Sequence, residues 1–367
     1  MPTVKDIMKV LDAFAPLQYQ ESYDNSGLQV GNSNSPVSGV LVSLDVTEAI
    51  LDEAMQRGCN MIVAHHPLLF SGLKSISGKN YIERIVIKAI KHDIAIYAIH
   101  TNLDNMKQGV NAKIAEKLGL RKVKILSAST GNLSKLYTYV PLHHADAVKE
   151  ALFTAGAGHI GNYSECSFSA TGTGTFKPGK NTNPSIGTSG GAREAVEEVK
   201  LEVLIPLDKK SAVLAALQAA HPYEEVAYEL IDLRNTNQDI GAGMIGHLET
   251  PMKPGQFLTY LKTQMKLDCI RHTELCGKEI RTVAVCGGSG SFLLNHAIAA
   301  KADVFVTADF KYHQFFDADG QIIIADIGHY ESEQFTIELI ADILNEKFIN
   351  FAVLLTDLST NPVKYFC

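Results

Sequence analysis

Short apolar runs alternate along the chain with segments in which apolar residues recur every three or four positions. Residues 61–64 and 94–99 are continuous apolar runs, and residues 40–44 form another that only Ser43 interrupts. Such runs are typical of short strands buried on both faces. The segments between them, around 47–57 and 81–92, carry helical stripes. Strands that alternate with helices predict parallel pairs joined by right-handed crossovers. The first third of the chain is therefore expected to be an α/β structure.

The same pattern returns near the C-terminus. Strands are predicted at 281–286, 303–307 and 321–327, with helices after the first and the last. Residues 40–66 align with residues 283–309 at a constant offset and without a gap, and the apolar positions largely coincide. We interpret this as an internal duplication, so that both flanks form one duplicated α/β core.

The middle of the chain has a different order of elements. Residues 131–234 read as strand, helix, strand, strand, helix, strand, which is the order of a ferredoxin-like βαββαβ domain. Its second and third strands are joined by residues 177–191, a long loop rich in Gly, Ser, Asn and Pro. We therefore predict a discontinuous core, 1–130 and 235–367, with an inserted domain at 131–234.

Composition excludes several classes of protein. The 367 residues are 46% apolar and 20% charged, with a net charge of −7, so the basic surface that nucleic-acid binding needs is lacking and no such partner is expected. There is no signal-peptide core and no run of about 18 apolar residues. A cytoplasmic protein without membrane partners is predicted.

The cysteines are scattered without CxxC spacing. This argues against a zinc finger and against a disulfide framework. We expect free, mostly buried thiols at Cys59, Cys166, Cys269, Cys276, Cys286 and Cys367.

Side chains that bind metals follow several predicted strands. His65 and His66 end one strand, and Asp104 follows the next. His329 and Glu333 lie four residues apart at the start of a helix and so share one face. Each of these residues alone has an ordinary explanation as a helix cap or a helix-dipole partner. Together, at the edge where parallel strands end, three imidazoles and two carboxylates predict a dinuclear metal site.

Mixed nitrogen and oxygen ligands suit several divalent metals. Zinc, iron, manganese, cobalt and nickel all accept such a set. We expect two ions per chain, with zinc or iron favoured.

A glycine-rich loop is a second candidate. Gly287, Gly288, Ser289 and Gly290 follow a strand and open a helix, so their N–H groups could bind the anion of a substrate. A tight turn without a ligand explains the same residues equally well.

Further histidines are weaker candidates. His313, with Lys311, could serve in acid–base chemistry or bind substrate, although a surface lysine and a capping histidine are an equal alternative. His100 is expected to orient a ligand or move protons. His143 and His144 imitate the metal-site pair but start a helix of the insert without carboxylate partners, so no metal is predicted there.

Taken together, these motifs resemble those of the GTP cyclohydrolase 1 type 2 homolog family, the Nif-three-like dinuclear metal proteins. The resemblance rests on residues 65–67, 100–104 and 328–333, and it extends to residues 23–31 and 306–314. It covers both flanks of the insert.

The resemblance implies a ligand assignment. His66 and Asp104 would hold one ion, His65 and His329 the other, and Glu333 would bridge the two. It also implies a toroidal homohexamer with the metal sites facing an inner cavity.

The insert resembles the PII/CutA-like insert of longer family members, with residues 221–225 as its signature. Two positions depart from the family pattern. Tyr23 stands where Trp is usual, and Ala308 stands where Gly is usual, which questions a tight backbone approach at that turn. Neither residue is a predicted ligand.

Two functions of different class follow. The first is a dinuclear metal-dependent hydrolase in which a metal-bridging hydroxide attacks the substrate, with His313 or His100 moving protons. By resemblance it would act on a purine nucleotide, as a GTP cyclohydrolase does. The alternative is a non-catalytic, metal-binding hexameric assembly or regulatory protein, whose PII-like insert senses a small molecule.

Overall fold

The computed structural model describes residues 1–275 and 277–366, and the chain divides into two compact units. The first combines Met1–Ala128 with the chain from Asp239 onward, and the second is Ser129–Gln238. The insert predicted at 131–234 falls within this second range. No helix in the described ranges has both the length and the apolar character needed to cross a bilayer.

The elements are short and numerous. Over the described ranges the α-helices are α1 (Val4–Phe14), α2 (Glu48–Gln56), α3 (Tyr81–Lys91), α4 (Thr101–Asp104), α5 (Val110–Lys117), α6 (Ala145–Thr154), α7 (Lys210–Ala220), α8 (Pro254–Gln264), α9 (Leu294–Ala299), α10 (His329–Glu333) and α11 (Thr336–Lys347). The strands are β1 (Gly27–Val30), β2 (Val40–Ser43), β3 (Met61–Ala64), β4 (Ala95–Ala98), β5 (Arg121–Ser129), β6 (Leu133–Pro141), β7 (Ser167–Phe176), β8 (Glu194–Pro206), β9 (Tyr228–Asp232), β10 (Asn237–Met252), β11 (Arg271–His272), β12 (Ile280–Ser289), β13 (Val304–Ala308), β14 (Ile323–Asp326) and β15 (Val353–Leu355).

The first unit contains two mixed sheets of matching design. Their strand orders are β1-β4-β3-β2-β15 and β11-β14-β13-β12-β10-β5. In each, three parallel strands form the centre, β2-β3-β4 in one and β12-β13-β14 in the other, and an antiparallel strand flanks them. Val40 pairs with Met61 in the first sheet. The residues 243 positions further along the chain, Val283 and Val304, pair in the second sheet. This equality of register is what an internal duplication predicts.

The sheets separate three layers of helices. Val42 of β2 and Val285 of β12 belong to the same central core as α1, α5, α8 and α11. Leu41, one residue along and on the opposite face, packs instead with α2 and α3. Phe305 packs with α9 on the outer face of the second sheet. Because both faces of the central strands are covered, these strands are apolar throughout.

The second unit has a sheet and a core of its own. Its elements run β6-α6-β7-β8-α7-β9, and its strands lie in the order β7-β8-β6-β9 with every neighbouring pair antiparallel. This is the ferredoxin-like topology. Val148 of α6 and Val213 of α7 pack on one face of the sheet with Leu201 and Val203 of β8.

The described cysteines are reduced. Those at Cys276 and Cys367 lie outside the described residues. Cys59 and Cys286 are buried, whereas Cys166 and Cys269 are partly exposed. Burial of the thiols is therefore less general than the sequence suggested.

Candidate metal centre

His65 and His66 leave the end of β3 with their rings facing different partners. The backbone N–H of His65 donates to the carbonyl of Ser43, so the strand ladder continues to this residue. His65 is fully buried, and its Nδ1 lies 2.8 Å from the carbonyl oxygen of Ile99. This contact assigns the proton to Nδ1 and leaves Nε2 as a bare acceptor. His66 instead places Nδ1 2.8 Å from Asp45 Oδ1.

The opposite side of the site comes from helix α10. It begins after Gly328, whose φ of +91° favours glycine. His329 places Nδ1 2.6 Å from Asp309 Oδ2. Its Nε2 lies 3.2 Å from Glu333 Oε2 and 3.3 Å from His66 Nε2. The helical spacing of His329 and Glu333 thus brings both side chains to one point, as the sequence predicts.

The five predicted ligands converge in two groups that share Glu333. His65 Nε2 lies 3.5 Å from Asp104 Oδ1 and 3.9 Å from Glu333 Oε1. His66 Nε2 lies 2.9 Å from Glu333 Oε2, beside His329. In each group the potential ligand atoms lie within 4.8 Å of one another. The His and carboxylate groups therefore could hold metal ions.

The distances between potential ligand atoms group the two histidines differently from the pairing that the family resemblance implies. His65 is grouped with Asp104, and His66 with His329, whereas the resemblance implied the reverse partners for the two histidines. The physical reason is the pleat of β3, which directs successive side chains to opposite sides. His65 is directed towards Asp104, which follows β4, and His66 towards helix α10.

Two buried atoms in the centre lack hydrogen-bond partners in the described parts of the chain. They are His65 Nε2 and Asp104 Oδ1. Leaving a buried polar atom unsatisfied costs about 1–3 kcal/mol. A divalent cation between the nitrogen and the oxygen would satisfy both atoms, and mixed nitrogen–oxygen donors suit such an ion. The residues present therefore fit a metal.

In the metal-free protein the imidazoles of His66 and His329 carry protons. Burial would lower the pKa of His66, but hydrogen bonds to Asp45 and Glu333 raise it to about 9. Burial opposes the charge on His329 as well, yet Asp309 and Glu333 raise its pKa to about 11. Protonated imidazoles thus surround Glu333 near neutral pH.

The other group is electrostatically different. Burial would raise the pKa of Glu333, but hydrogen bonds from the surrounding imidazoles hold it well below its usual range. Burial, together with the charge of Glu333, raises the pKa of Asp104 well above its usual range. Burial lowers the pKa of His65. A neutral His65 is the form that binds a metal.

His100 belongs to neither of the groups that contain Glu333, but it forms a third group of potential ligands with His65 and His66. Its Nδ1 is 2.8 Å from Asp24 Oδ1, and its ring centre is 5.4 Å from those of His65 and His66. Burial would raise the pKa of Asp24, but hydrogen bonds from His100 and Thr101 hold it below its usual range. Asp24 therefore fixes the orientation of His100.

The glycine-rich loop serves packing more than anion binding. The N–H of Gly287 donates to Asn111 Oδ1 and that of Gly288 to Ser332 Oγ, both at 2.9 Å. A Cβ at Gly288 would stand 2.4 Å from Glu333 Oε1. These two amides are engaged within the protein, and Ser289 pairs with Ala308 in the sheet.

The remaining candidates lie apart from the cluster. His313 is exposed on a 3₁₀ helix, Tyr312–Ala318, with its ring against Tyr312 and Phe316. Lys311 caps the same helix. In the described ranges, neither His313 nor the pair His143–His144 joins a group of potential metal ligands.

Sequence reasoning missed the carboxylates that orient the ligands. Asp45, Asp309 and Asp24 each accept a hydrogen bond from an imidazole Nδ1. A signal was available for one of them, because Asp309 occupies the position that His66 holds in the duplicated half.

The fold and the site define a duplicated α/β protein whose strand ends carry a histidine–carboxylate cluster able to hold metal ions. The family model described as Duf34/NIF3 (NGG1p interacting factor 3) matches residues 2–362. The chain belongs to this DUF34/NIF3 family, which confirms the resemblance seen in the sequence.

Relatives of similar length carry the name GTP cyclohydrolase 1 type 2 homolog. One from Halalkalibacterium halodurans is 41% identical over 365 residues, and one from Bacillus subtilis is 37% identical over 366 residues; in both, 98% of each chain is covered. The crystal structure of a Bacillus cereus protein related to NIF3 matches with a TM-score of 0.85 at 40% identity, covering 100% of this chain and 99% of that one.

Proposed function

We propose that this chain is a dinuclear metal-dependent hydrolase that acts on a purine nucleotide. The observation that supports it most directly is the position of Glu333. Its Oε1 faces His65 and its Oε2 faces His66 and His329. One carboxylate thus serves two groups of ligands, which is how a bridging residue between two ions is placed.

The residues would divide between two divalent ions, zinc or iron in preference. His65 and Asp104 would hold one ion, His66 and His329 the other, and Glu333 both. Bound there, the ions would supply Lewis acidity and a water molecule of lowered pKa. Asp45 and Asp309 would hold the two ligand imidazoles in the tautomer that binds a metal.

His100 would move protons for the reaction. Because its Nδ1 is held by Asp24, its Nε2 is the nitrogen left to exchange a proton with substrate or water. His313 is exposed on its 3₁₀ helix, apart from the metal-ligand cluster. It could act only on a substrate that extends from the cluster to this helix. We therefore assign the proton-moving role to His100 first.

The substrate class is proposed from the relatives. Proteins 41% and 37% identical to this chain are called GTP cyclohydrolase 1 type 2 homologs. A cyclohydrolase opens a purine ring by adding water, a reaction within the capacity of a dinuclear site.

Metal content per chain is the first test. Protein purified without chelator or affinity metal should contain about two ions per chain by inductively coupled plasma mass spectrometry. Glu333→Gln and His65→Ala should each lose metal, whereas His143→Ala, outside the cluster, should retain it. Wild-type protein that contains no metal and takes none up would contradict the hydrolase.

A metal-dependent screen of purine nucleotides follows. Turnover of one of them by wild-type protein and by His143→Ala, with loss in His65→Ala, is the expected result. A fully metal-loaded protein that turns over none of them would favour the second candidate.

The second candidate is a metal-binding assembly or regulatory protein, a homohexameric ring with a PII/CutA-like sensing insert. It is favoured by the separate core of the insert, which shares no cluster with the metal-bearing unit in the described ranges. Light scattering on wild-type protein and on His65→Ala would report assembly independently of turnover.

A further inference from the structure

A cavity of about 640 Å³ lies within the insert. Leu201 and Val203 of β8 face the helices, whereas Glu198 and Lys200 alternate to the opposite face and line the cavity. The loop of residues 177–185 lines another side. A cavity of this volume accommodates a ligand of nucleoside size.

A buried carboxylate at this cavity is only partly satisfied. Glu198 is 9% exposed, and its Oε1 accepts a hydrogen bond of 2.9 Å from the Tyr223 hydroxyl. Nowhere in the described ranges does a cation lie within ion-pair distance of Glu198, since the Lys200 amine contacts Glu202 instead. Buried carboxylates normally receive several donors or a cation. A ligand with an N–H group would supply the missing donor.

Two glycines of β7 lie beside this carboxylate for different reasons. At Gly174 an added Cβ would stand 1.9 Å from Glu198 Oε2, so glycine makes room for the carboxylate. At Gly172, which pairs with Glu198, an added Cβ would meet no atom within 4 Å, and the φ is not positive. Neither packing nor backbone conformation requires glycine there. A glycine inside a strand often marks the close approach of a ligand.

Aromatic rings form the adjoining wall. The ring centres of Phe176 and Tyr223 lie 5.7 Å apart in an edge-to-face arrangement. His221 fixes this corner, because its Nδ1 accepts a hydrogen bond from the N–H of Tyr223 and its Nε2 contacts the carbonyl of Tyr139. Aromatic side chains next to a glycine-containing strand suit the binding of a flat molecule.

We propose that this cavity binds a nucleotide with an amino-bearing base, such as adenine, guanine or cytosine. The base lies against Gly172, and its exocyclic amine donates to Glu198. Lys177, exposed at the cavity, provides a cation for the phosphate. A uracil edge presents its N–H between two carbonyl oxygens, which the carboxylate repels. The site should therefore discriminate against uridine nucleotides.

Calorimetric titration of the full-length chain with AMP, GMP, CMP and UMP tests this site. We expect at least one of the first three to bind about tenfold or more tightly than UMP. Gly172→Val should weaken that binding by about tenfold or more by filling the cavity, without lowering the melting temperature. Glu198→Gln should weaken it similarly. Ser167→Val, on the same strand but outside the cavity, should bind as the wild type does.

Two results would overturn the assignment. One is the absence of binding by all four nucleotides at millimolar concentration. The other is binding that persists in Gly172→Val but disappears in His65→Ala, which would assign the nucleotide to the metal centre.

Discussion

At the scale of single residues, protons and metal ions compete for the same nitrogen atoms. The pKa of His66 is about 9 and that of His329 about 11, so both are charged near neutral pH. The stability that these raised pKa values give the metal-free protein is present below the unfolded value of about 6.5. It is lost as pH rises through about 9 at His66.

Metal binding should therefore release protons. We expect affinity to increase from about pH 6 to about pH 9, because the ion held by His66 and His329 displaces their imidazole protons. Calorimetry at one pH in two buffers of different ionisation enthalpy measures the release, for which we expect about one to two protons per chain. An affinity independent of pH would show that the ions bind elsewhere.

A carboxylate that hydrogen-bonds to a metal-binding imidazole should contribute nearly as much to metal affinity as the imidazole itself. Asp309→Asn removes the charge that holds Nδ1 of His329, and we expect metal affinity to fall by about 10–100-fold. Competition against a chelating dye measures the affinity. Asp317→Asn, exposed on the neighbouring 3₁₀ helix, is the matched control. Equal affinities in the two variants would contradict an orienting role for Asp309.

At the scale of elements, the sequence was most informative where a strand ends in unusual side chains. His65 after an apolar run and Glu333 four residues after His329 predicted one convergent cluster. The grouping of ligands depends on which way each ring turns after the strand, and that is decided by distant partners such as the Ile99 carbonyl. Asn111 and Ser332 engage the amides of the glycine-rich loop from other elements, so local sequence could not reveal them.

The end of β12 should be intolerant of any side chain at Gly288. Alanine there adopts a φ near +59° and places its Cβ against Glu333. We expect a loss of about 1–2 kcal/mol from the backbone alone, together with loss of metal. Denaturant unfolding with and without metal separates the two effects. Gly255→Ala, where no atom lies within 4 Å, should be neutral or stabilising.

At the scale of the whole molecule, the insert interrupts the first unit at two points that lie side by side. Strands β5 and β10, which lead into and out of it, are neighbours in one sheet. A Cβ at Gly241 would stand 2.2 Å from the carbonyl oxygen of Ser127. The three core clusters of the first unit include no residue of 129–238 in the described ranges. Each unit therefore builds its hydrophobic core from its own residues.

Replacing residues 129–238 by a short glycine–serine linker should leave a folded, metal-binding core. The linker can be short because it joins adjacent strands, and closing a short loop between them costs little entropy. We expect circular dichroism to show a cooperative transition and metal content to equal that of the intact chain, whereas nucleotide binding at the insert is lost. Light scattering on the intact and the shortened chain tests the proposed ring: if the intact chain forms one, its survival in the shortened chain assigns assembly to the core, and its loss assigns assembly to the insert. A shortened chain that aggregates or loses its metal would contradict the independence of the two cores.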